Sequence, residues 1–376
     1  MIDTAAAYER RRPELGALYQ VVRDNLRTLD EAIEHGFAAP LPAFVRAELA
    51  GFVDCGILAR GFALIACPDC PRRIAVGFSC KVRAVCPSCA GRRMASTSAD
   101  LIDHVLPERA PLRQLVLTLP FELRARLAFD GELCGAVCRT FVDSVMGWYR
   151  RHMAALGIAG GKSGAVTAVQ RTSSDLRLNP HFHTLALDGV FVETEAGELA
   201  FHPLPALSNA DVADILQIAR TRIVRLLRRR GVVTDDDASA TSVVNADAAL
   251  ADDEPALAAL AAASVAGTVP AGPVLRRQDP IKLRSTAELA QTKGLCAAEH
   301  GFSLHAATTA GADDRAGKEA LCRYILRPPI AQERVQLVAD DLAQLTLKLP
   351  FSDGSPWRWT RSACWSGSRA SCRRRA

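Results

Sequence analysis

No stretch of this 376-residue chain is apolar for long enough to cross a bilayer: the longest Ala-rich run, Ala256 to Gly267, is too short and too weakly hydrophobic. Nor does the chain open like a secreted one. Met1-Ile2-Asp3 leads into Tyr8-Glu9-Arg10-Arg11-Arg12 with no apolar h-region behind a basic start, so the cytoplasm is the expected location. Lys and Arg are missing from 231 to 275, where Asp235-Asp236-Asp237, a second acidic cluster at Asp252-Asp253-Glu254 and many alanines mark a linker or variable insertion. Val, Ile, Leu and Met are missing from Phe351 to Ala376, a stretch that holds Trp357, Trp359 and Trp365 and ends in Arg373-Arg374-Arg375. Tyrosine is scarce. Tyr8, Tyr19 and Tyr149 lie in the first half, and Tyr324 stands alone in the second. With 49% of residues hydrophobic and 23% charged, the chain is globular, and its length allows two or more domains.

Cysteine, by contrast, is plentiful. Of twelve, five crowd into residues 67 to 89, and a reducing compartment favours metal over disulfides there. Cys67-Pro68-Asp69-Cys70 and Cys86-Pro87-Ser88-Cys89, fifteen residues apart, have the spacing of a four-thiolate zinc ribbon, because each short turn points two sulfurs at one tetrahedral centre. Redox Cys-x-x-Cys or buried structural thiols are the competing readings, and the doubled motif argues against both. Cys80, between the pairs, could substitute for one ligand; the simpler reading leaves it spare. Arg72, Arg73, Lys81, Arg83, Arg92 and Arg93 thread the same region and suit contacts to a nucleic-acid backbone, the alternative being a solvated basic rim.

Farther along, Pro180 discourages helix, and the run from His181 to Leu187 alternates as a strand does, so His181, His183, Leu185 and Leu187 share one face. Two imidazoles so placed can grip one divalent cation, with a third ligand from elsewhere. A His-x-His triplet arises by chance in roughly one such chain in six, so its weight comes from its neighbours. Residues 4 to 50 read as helices interrupted at Pro40 to Pro42, Leu112 to Leu119 as a strand, and 123 to 153 as helix with Cys134 and Cys138 in its core. Ala165 to Arg171 should pair with the histidine strand as an antiparallel hairpin, which brings Gln170 near the pair. Residues 211 to 230 form an amphipathic helix with Val212, Ile215, Ala219, Ile223 and Leu226 inside; Arg220, Arg222, Arg225, Arg228 and Arg229 are either a solvated face or a track for a DNA backbone. Tyr324 falls late on a helix that Pro328-Pro329 must stop.

In this order these signals resemble the zinc-domain rolling-circle transposases of bacterial insertion sequences, the insertion sequence 91 type, within the His-hydrophobic-His tyrosine endonuclease superfamily. Its landmarks run from Pro42-Ala43-Phe44-Val45 through Phe78-Ser79-Cys80-Lys81, Cys86-Pro87-Ser88-Cys89, Arg92-Arg93-Met94-Ala95, Asn179-Pro180-His181-Phe182-His183 and Leu187-Asp188-Gly189 to Gly301-Phe302-Ser303-Leu304-His305-Ala306 and Arg323-Tyr324-Ile325. The resemblance implies an α+β protein: a helical lead-in over 1–60, a four-cysteine zinc domain over 61–107, and an antiparallel-sheet nuclease split into 108–232 and 276–350 around the acidic linker 233–275. It also implies a transposase that cleaves and rejoins single-stranded DNA at transposon ends through a 5′-phosphotyrosine, with Tyr324 as nucleophile, structural zinc, and a catalytic Mg²⁺ or Mn²⁺. Imidazoles alone would equally admit zinc. An ordinary phenol, with a pKa near 10, is ionised to only about one part in a thousand at neutral pH, so attack needs a cation at the phosphate. For its third ligand Gln170 and His305 are the candidates.

Two departures qualify the resemblance. Where some members carry a second tyrosine one helical turn on, position 328 is Pro, so one nucleophile would be reused or shared between protomers. And back-translating Trp357 to Arg375 with G- or C-ending codons, then reading each triplet from its third base, recovers an amphipathic helix followed by the proline run that members show there; a frameshift after Gly354 is the expectation for residues 351–376, a basic DNA-binding tail the plainer alternative. For the whole chain the competing function is a non-enzymatic zinc-ribbon DNA-binding protein. A phosphodiesterase that activates water is a third.

Overall fold

The computed structural model describes residues 11–35, 43–82, 85–173, 178–234, 281, 283, 294–339, 342–346 and 357–360. These group into two compact units, one running to Arg93 and resuming at Pro328, the other lying between Met94 and Arg327. Among the described residues no helix is long and apolar enough to cross a membrane.

In the first unit, α1 (Ala17–Glu34) and α2 (Ala43–Asp54) join their apolar stripes. Leu18, Val22 and Leu29 are buried, as are Leu49 and Phe52, and the Tyr19 and Phe52 rings meet edge to face at 6.1 Å. Next comes a hairpin, β1 (Phe62–Ala66) with β2 (Arg73–Gly77), paired antiparallel from Phe62↔Gly77 to Ala66↔Arg73. Helix α3 (Pro87–Asp100) starts on a proline, whose missing N–H costs nothing at a first helical position.

The second unit is built on a sheet of β3 (Leu112–Thr118), β4 (Ala165–Thr172), β5 (Leu178–Leu187), β8 (Cys296–Glu299) and β9 (Phe302–Ala310), in the order β4-β5-β3-β9-β8 with all neighbours antiparallel. A smaller hairpin, β6 (Gly189–Glu193) with β7 (Leu199–Pro203), follows β5 directly. Strands β8 and β9 turn through His300 and Gly301, both at positive φ (48° and 78°), the backbone of a tight hairpin turn. The helix expected over 123–153 is two helices, α4 (Phe121–Phe129) and α5 (Gly131–Ala155). Asp130 separates them by accepting the Leu133 N–H at 2.8 Å, which caps α5.

Period-two alternation decides what covers each face of the sheet. Leu115, Leu117, Phe182, Ala186, Leu304 and Ala306 face the core shared with α4, α5 and α6 (Asn209–Arg229). Leu112, Leu185 and Leu187 face the other way, onto Leu321, Cys322 and Ile325 of α7 (Arg315–Leu326). As expected, Cys134 is a core residue, with the half-buried Cys138 packed beside it. Helix α6 buries Leu227 rather than Leu226, and its arginines include Arg220, which pairs with Glu299 at 3.1 Å, and Arg222, which donates to Ser144 Oγ.

Back in the first unit, β10 (Val335–Ala339), β11 (Leu342–Leu345) and β12 (Trp357–Thr360) form an antiparallel sheet. Apart from Trp357–Thr360, the stretch 351–376 lies outside the described residues, as do Arg83 and 235–280, which hold nearly all of the expected linker.

One ion pair ties the second unit's core together. Arg113, on β3, grips Asp188, just past β5, through Nε–Oδ1 at 2.7 Å and Nη2–Oδ2 at 2.8 Å, and gives Nη1 to the Ala306 carbonyl of β9. Both residues are buried. Removing one partner leaves a charge stranded in the interior. Arg113→Met should therefore cost about 3–5 kcal/mol in urea unfolding, and Asp188→Leu added to it should recover part of the loss.

Candidate metal and nuclease sites

Four thiols converge where α2 ends and α3 begins: Cys55, Cys80, Cys86 and Cys89, with all sulfurs within 4.8 Å of one another. Individual separations are 3.6 Å for Cys55–Cys89, 3.5 Å for Cys80–Cys89 and 3.6 Å for Cys86–Cys55. Sulfurs at about 2.3 Å from a tetrahedral zinc ion stand roughly 3.8 Å apart, so the donor set and its geometry fit zinc. Donation from the Cys86 thiol, against burial, holds Cys55 down to about 4, while that bond and burial hold Cys86 far above its ordinary range and burial lifts Cys80 to about 12. Negative charge on Cys55 disfavours ionisation of Cys80 and Cys86. A divalent cation is the countercharge that lets all four ionise.

Cys86 and Cys89 thus stand where the sequence puts them, but Cys67 and Cys70 do not join them; Cys55 and Cys80 do. The cause is the hairpin. Gly56 N–H bonds to the Phe78 carbonyl and Phe78 N–H to the Gly61 carbonyl, which holds the hairpin's base beside Cys55 and Cys80. Five-residue strands then carry Cys67 and Cys70 out to the exposed tip, about 17–20 Å away. Cys55 escaped the sequence reading because it lies 25 residues from its nearest partner, outside any Cys-x-x-Cys motif.

The second cluster lies on the α7 face of the sheet. The His181 and His183 rings stand 4.8 Å apart, edge to face. His181 Nδ1–H donates to the Asn179 carbonyl at 2.6 Å, which leaves its Nε2 lone pair outward. His183 is 3% exposed; its Nδ1 meets the Gln114 amide at 2.8 Å, and its Nε2 is buried with no partner. A buried ring nitrogen with no protein partner, beside a second imidazole, fits a divalent cation. Burial, then the neighbouring His181 and Arg327, pushes His183 down to about 3; burial leads the same way at His181. Both rings are held neutral, the form that ligates metal.

Tyr324 closes the site. Its ring centroid is 5.5 Å from that of His183, and the Arg327 guanidinium lies over the ring, Cζ 4.3 Å from its centre. Gln170, opposite His181 on β4, gives its amide N–H groups to the Tyr324 and Ile325 carbonyls at 3.4 and 3.2 Å, so it fastens the end of α7. His305 shares the face but stands one strand farther off, across Val116 from His183, and is not gathered with the pair. Gln114, on β3 two residues before Val116, was not anticipated. Nothing in Leu112 to Leu119 distinguishes it except a polar residue among leucines.

Of the basic residues expected to meet DNA, Arg72 lies in the hairpin turn, Arg73 begins β2, and Arg92 and Arg93 are exposed on α3, Arg93 donating to the Lys81 carbonyl at 2.8 Å.

Two outcomes are expected. Cys55→Ser or Cys80→Ser should lose the zinc bound by this cluster and unfold the α1–α3 region, read by metal analysis and circular dichroism. And because an unfolded imidazole binds a proton below about pH 6.5 whereas folded His183 refuses one until about 3, stability without added Mg²⁺ or Mn²⁺ should fall as pH drops through that window. His183→Leu should flatten the slope in denaturant titrations between about pH 6.5 and about 5.

Two family models match the chain. Residues 26–119 match the family model Zn_Tnp_IS91, described as "Transposase zinc-binding domain", and residues 164–357 match Y2_Tnp, described as "Putative transposase". No curated protein and no solved structure matches the chain significantly. The first match spans the cysteine cluster and the second spans both histidines and Tyr324, and on that coverage the chain belongs to the insertion sequence 91 type transposases.

Proposed function

We propose that this transposase cuts and rejoins single-stranded DNA at the ends of its element, with Tyr324 as the nucleophile. The observation that carries the reading is the 5.5 Å approach of the Tyr324 ring to His183, whose Nε2 is buried and unpartnered. The Tyr324 oxygen attacks the scissile phosphorus, the P–O3′ bond breaks, and the products are a 5′-phosphotyrosine and a 3′-hydroxyl, the phenol's proton passing to solvent as the leaving oxygen gains one. One phosphoester replaces another, so no nucleotide cofactor is consumed. His181 and His183 would hold Mg²⁺ or Mn²⁺, which supplies charge withdrawal at the phosphate.

The chain's own groups do the rest. His181 is oriented by the Asn179 carbonyl and His183 by Gln114. If the Gln114 amide is turned so that its oxygen accepts Nδ1–H, the His183 Nε2 lone pair is left for the cation. Gln170, holding α7 through its N–H groups, has its oxygen left for the third coordination position, and is favoured over His305, which lies on the far side of β3 from the pair. Arg327 and Arg124, which both disfavour a proton on His181, lend positive charge where a phosphate would enter. Arg72, Arg73, Lys81, Arg83, Arg92 and Arg93 would hold the DNA backbone, in the cytoplasm and on the nucleoid. A frameshift beyond Gly354 would leave these groups intact, since all of them precede it, and the coding DNA near codon 355 tells a frameshift from a native tail.

With labelled single-stranded element ends and Mn²⁺, the protein should form a band stable to denaturant and sensitive to protease. Tyr324→Phe should abolish that band and keep DNA affinity within a few-fold. Cleavage that survives Tyr324→Phe would point to water as nucleophile, and binding without any cleavage by the parent chain to a non-enzymatic DNA-binding protein.

A further inference from the structure

The hairpin tip holds a pair of thiols that the four-cysteine cluster does not use. Cys67 N–H bonds to the Arg72 carbonyl at 3.0 Å and closes the turn, with both Cys67 and Cys70 exposed. Within it the Asp69 N–H, the Cys70 thiol and the Cys70 N–H all donate to the Cys67 sulfur, which lowers its pKa. Two adjacent sulfurs, one ringed by backbone N–H groups, make half of a tetrahedral thiolate site. Among the described residues no further His, Cys, Asp or Glu is gathered with them into a set of three.

We propose that Cys67 and Cys70 are half of a second zinc site, completed by the same two residues of a second copy of this chain, so that one zinc ion joins two hairpin tips. A two-fold axis through the ion supplies two identical pairs and so fills the four positions. The charges match as well. A zinc tetrathiolate is doubly negative, and with an Asp69 carboxylate from each copy it is balanced by the Arg72 and Arg73 guanidiniums of both. Phe62 and Leu64 share one face of β1 and are each about half exposed, an apolar flank that a second hairpin would cover. Binding releases the thiol protons to solvent and changes no oxidation state. If Tyr324 is the nucleophile proposed above, the bridge also gives one assembly two of them, where each chain has one; the bridge itself does not depend on that reading.

The test compares the full chain with Cys67→Ser/Cys70→Ser, both purified in reductant with zinc present, by metal analysis and light-scattering mass. The full chain should be a dimer with about one and a half zinc ions per chain, and the variant a monomer with about one. Both substitutions lie in an exposed turn, and circular dichroism equal to the parent's verifies that the variant is folded. Chelator should dissociate the parent dimer, and zinc should restore it. Equal zinc content and equal mass in the two proteins overturn the proposal. So does a loss of one whole zinc per chain with no change of mass, which would mean an intrachain site, or a dimer that resists chelator and yields to stronger reductant, which would mean a disulfide.

Discussion

The face of β5 that carries His181 and His183 also carries Leu185 and Leu187, and on those leucines α7 packs through Leu321 and Ile325. Burial of that apolar pair is what holds Tyr324, one residue before Ile325, beside the imidazoles. Sheet alternation and helical periodicity therefore act together: a strand places the two ring nitrogens, a helix places the phenol, and one hydrophobic contact sets the distance between them. Gln170 adds a polar tie from β4 to the last carbonyls of α7, where Pro328 and Pro329 end the helix and leave those carbonyls in need of partners.

The sheet that presents this site is held rigid from its opposite side. Arg113 joins β3, the end of β5 and β9 through one guanidinium, and Gly189 follows at once because the β6–β7 hairpin leaves no room there for a side chain. A buried ion pair of this kind adds little net stability over an apolar substitute, yet it tolerates only one register between the strands it joins. A one-residue slip of β5 would turn both histidines into the α5–α6 core.

The four-cysteine cluster and the histidine pair rest on opposite electrostatics. At Cys55, Cys80, Cys86 and Cys89 the ligands are acids crowded together, so that an ionised Cys55 raises Cys80 and Cys86 and a cation is needed to balance them, which couples metal to fold. At His181 and His183 burial and nearby arginines keep both rings neutral. The first arrangement suits a structural ion. The second, under the function proposed above, suits an ion shared with a phosphate.

Much of this was legible in residues that act within one turn or one strand. His181 and His183 share a face because the strand period is two, Cys86 and Cys89 share a metal because a tight turn separates them, and α7 stops where proline must stop it. Local stereochemistry determines such pairs, so the sequence by itself determined them. Which pairs meet was decided only by the tertiary structure. Cys67 and Cys70 have the same spacing as Cys86 and Cys89, and no local rule says that an intervening hairpin carries them away while Cys55 comes in from the end of α2. Gln114 reaches His183, and His305 does not reach the pair, because strand order, which no short-range signal encodes, puts β3 between β5 and β9.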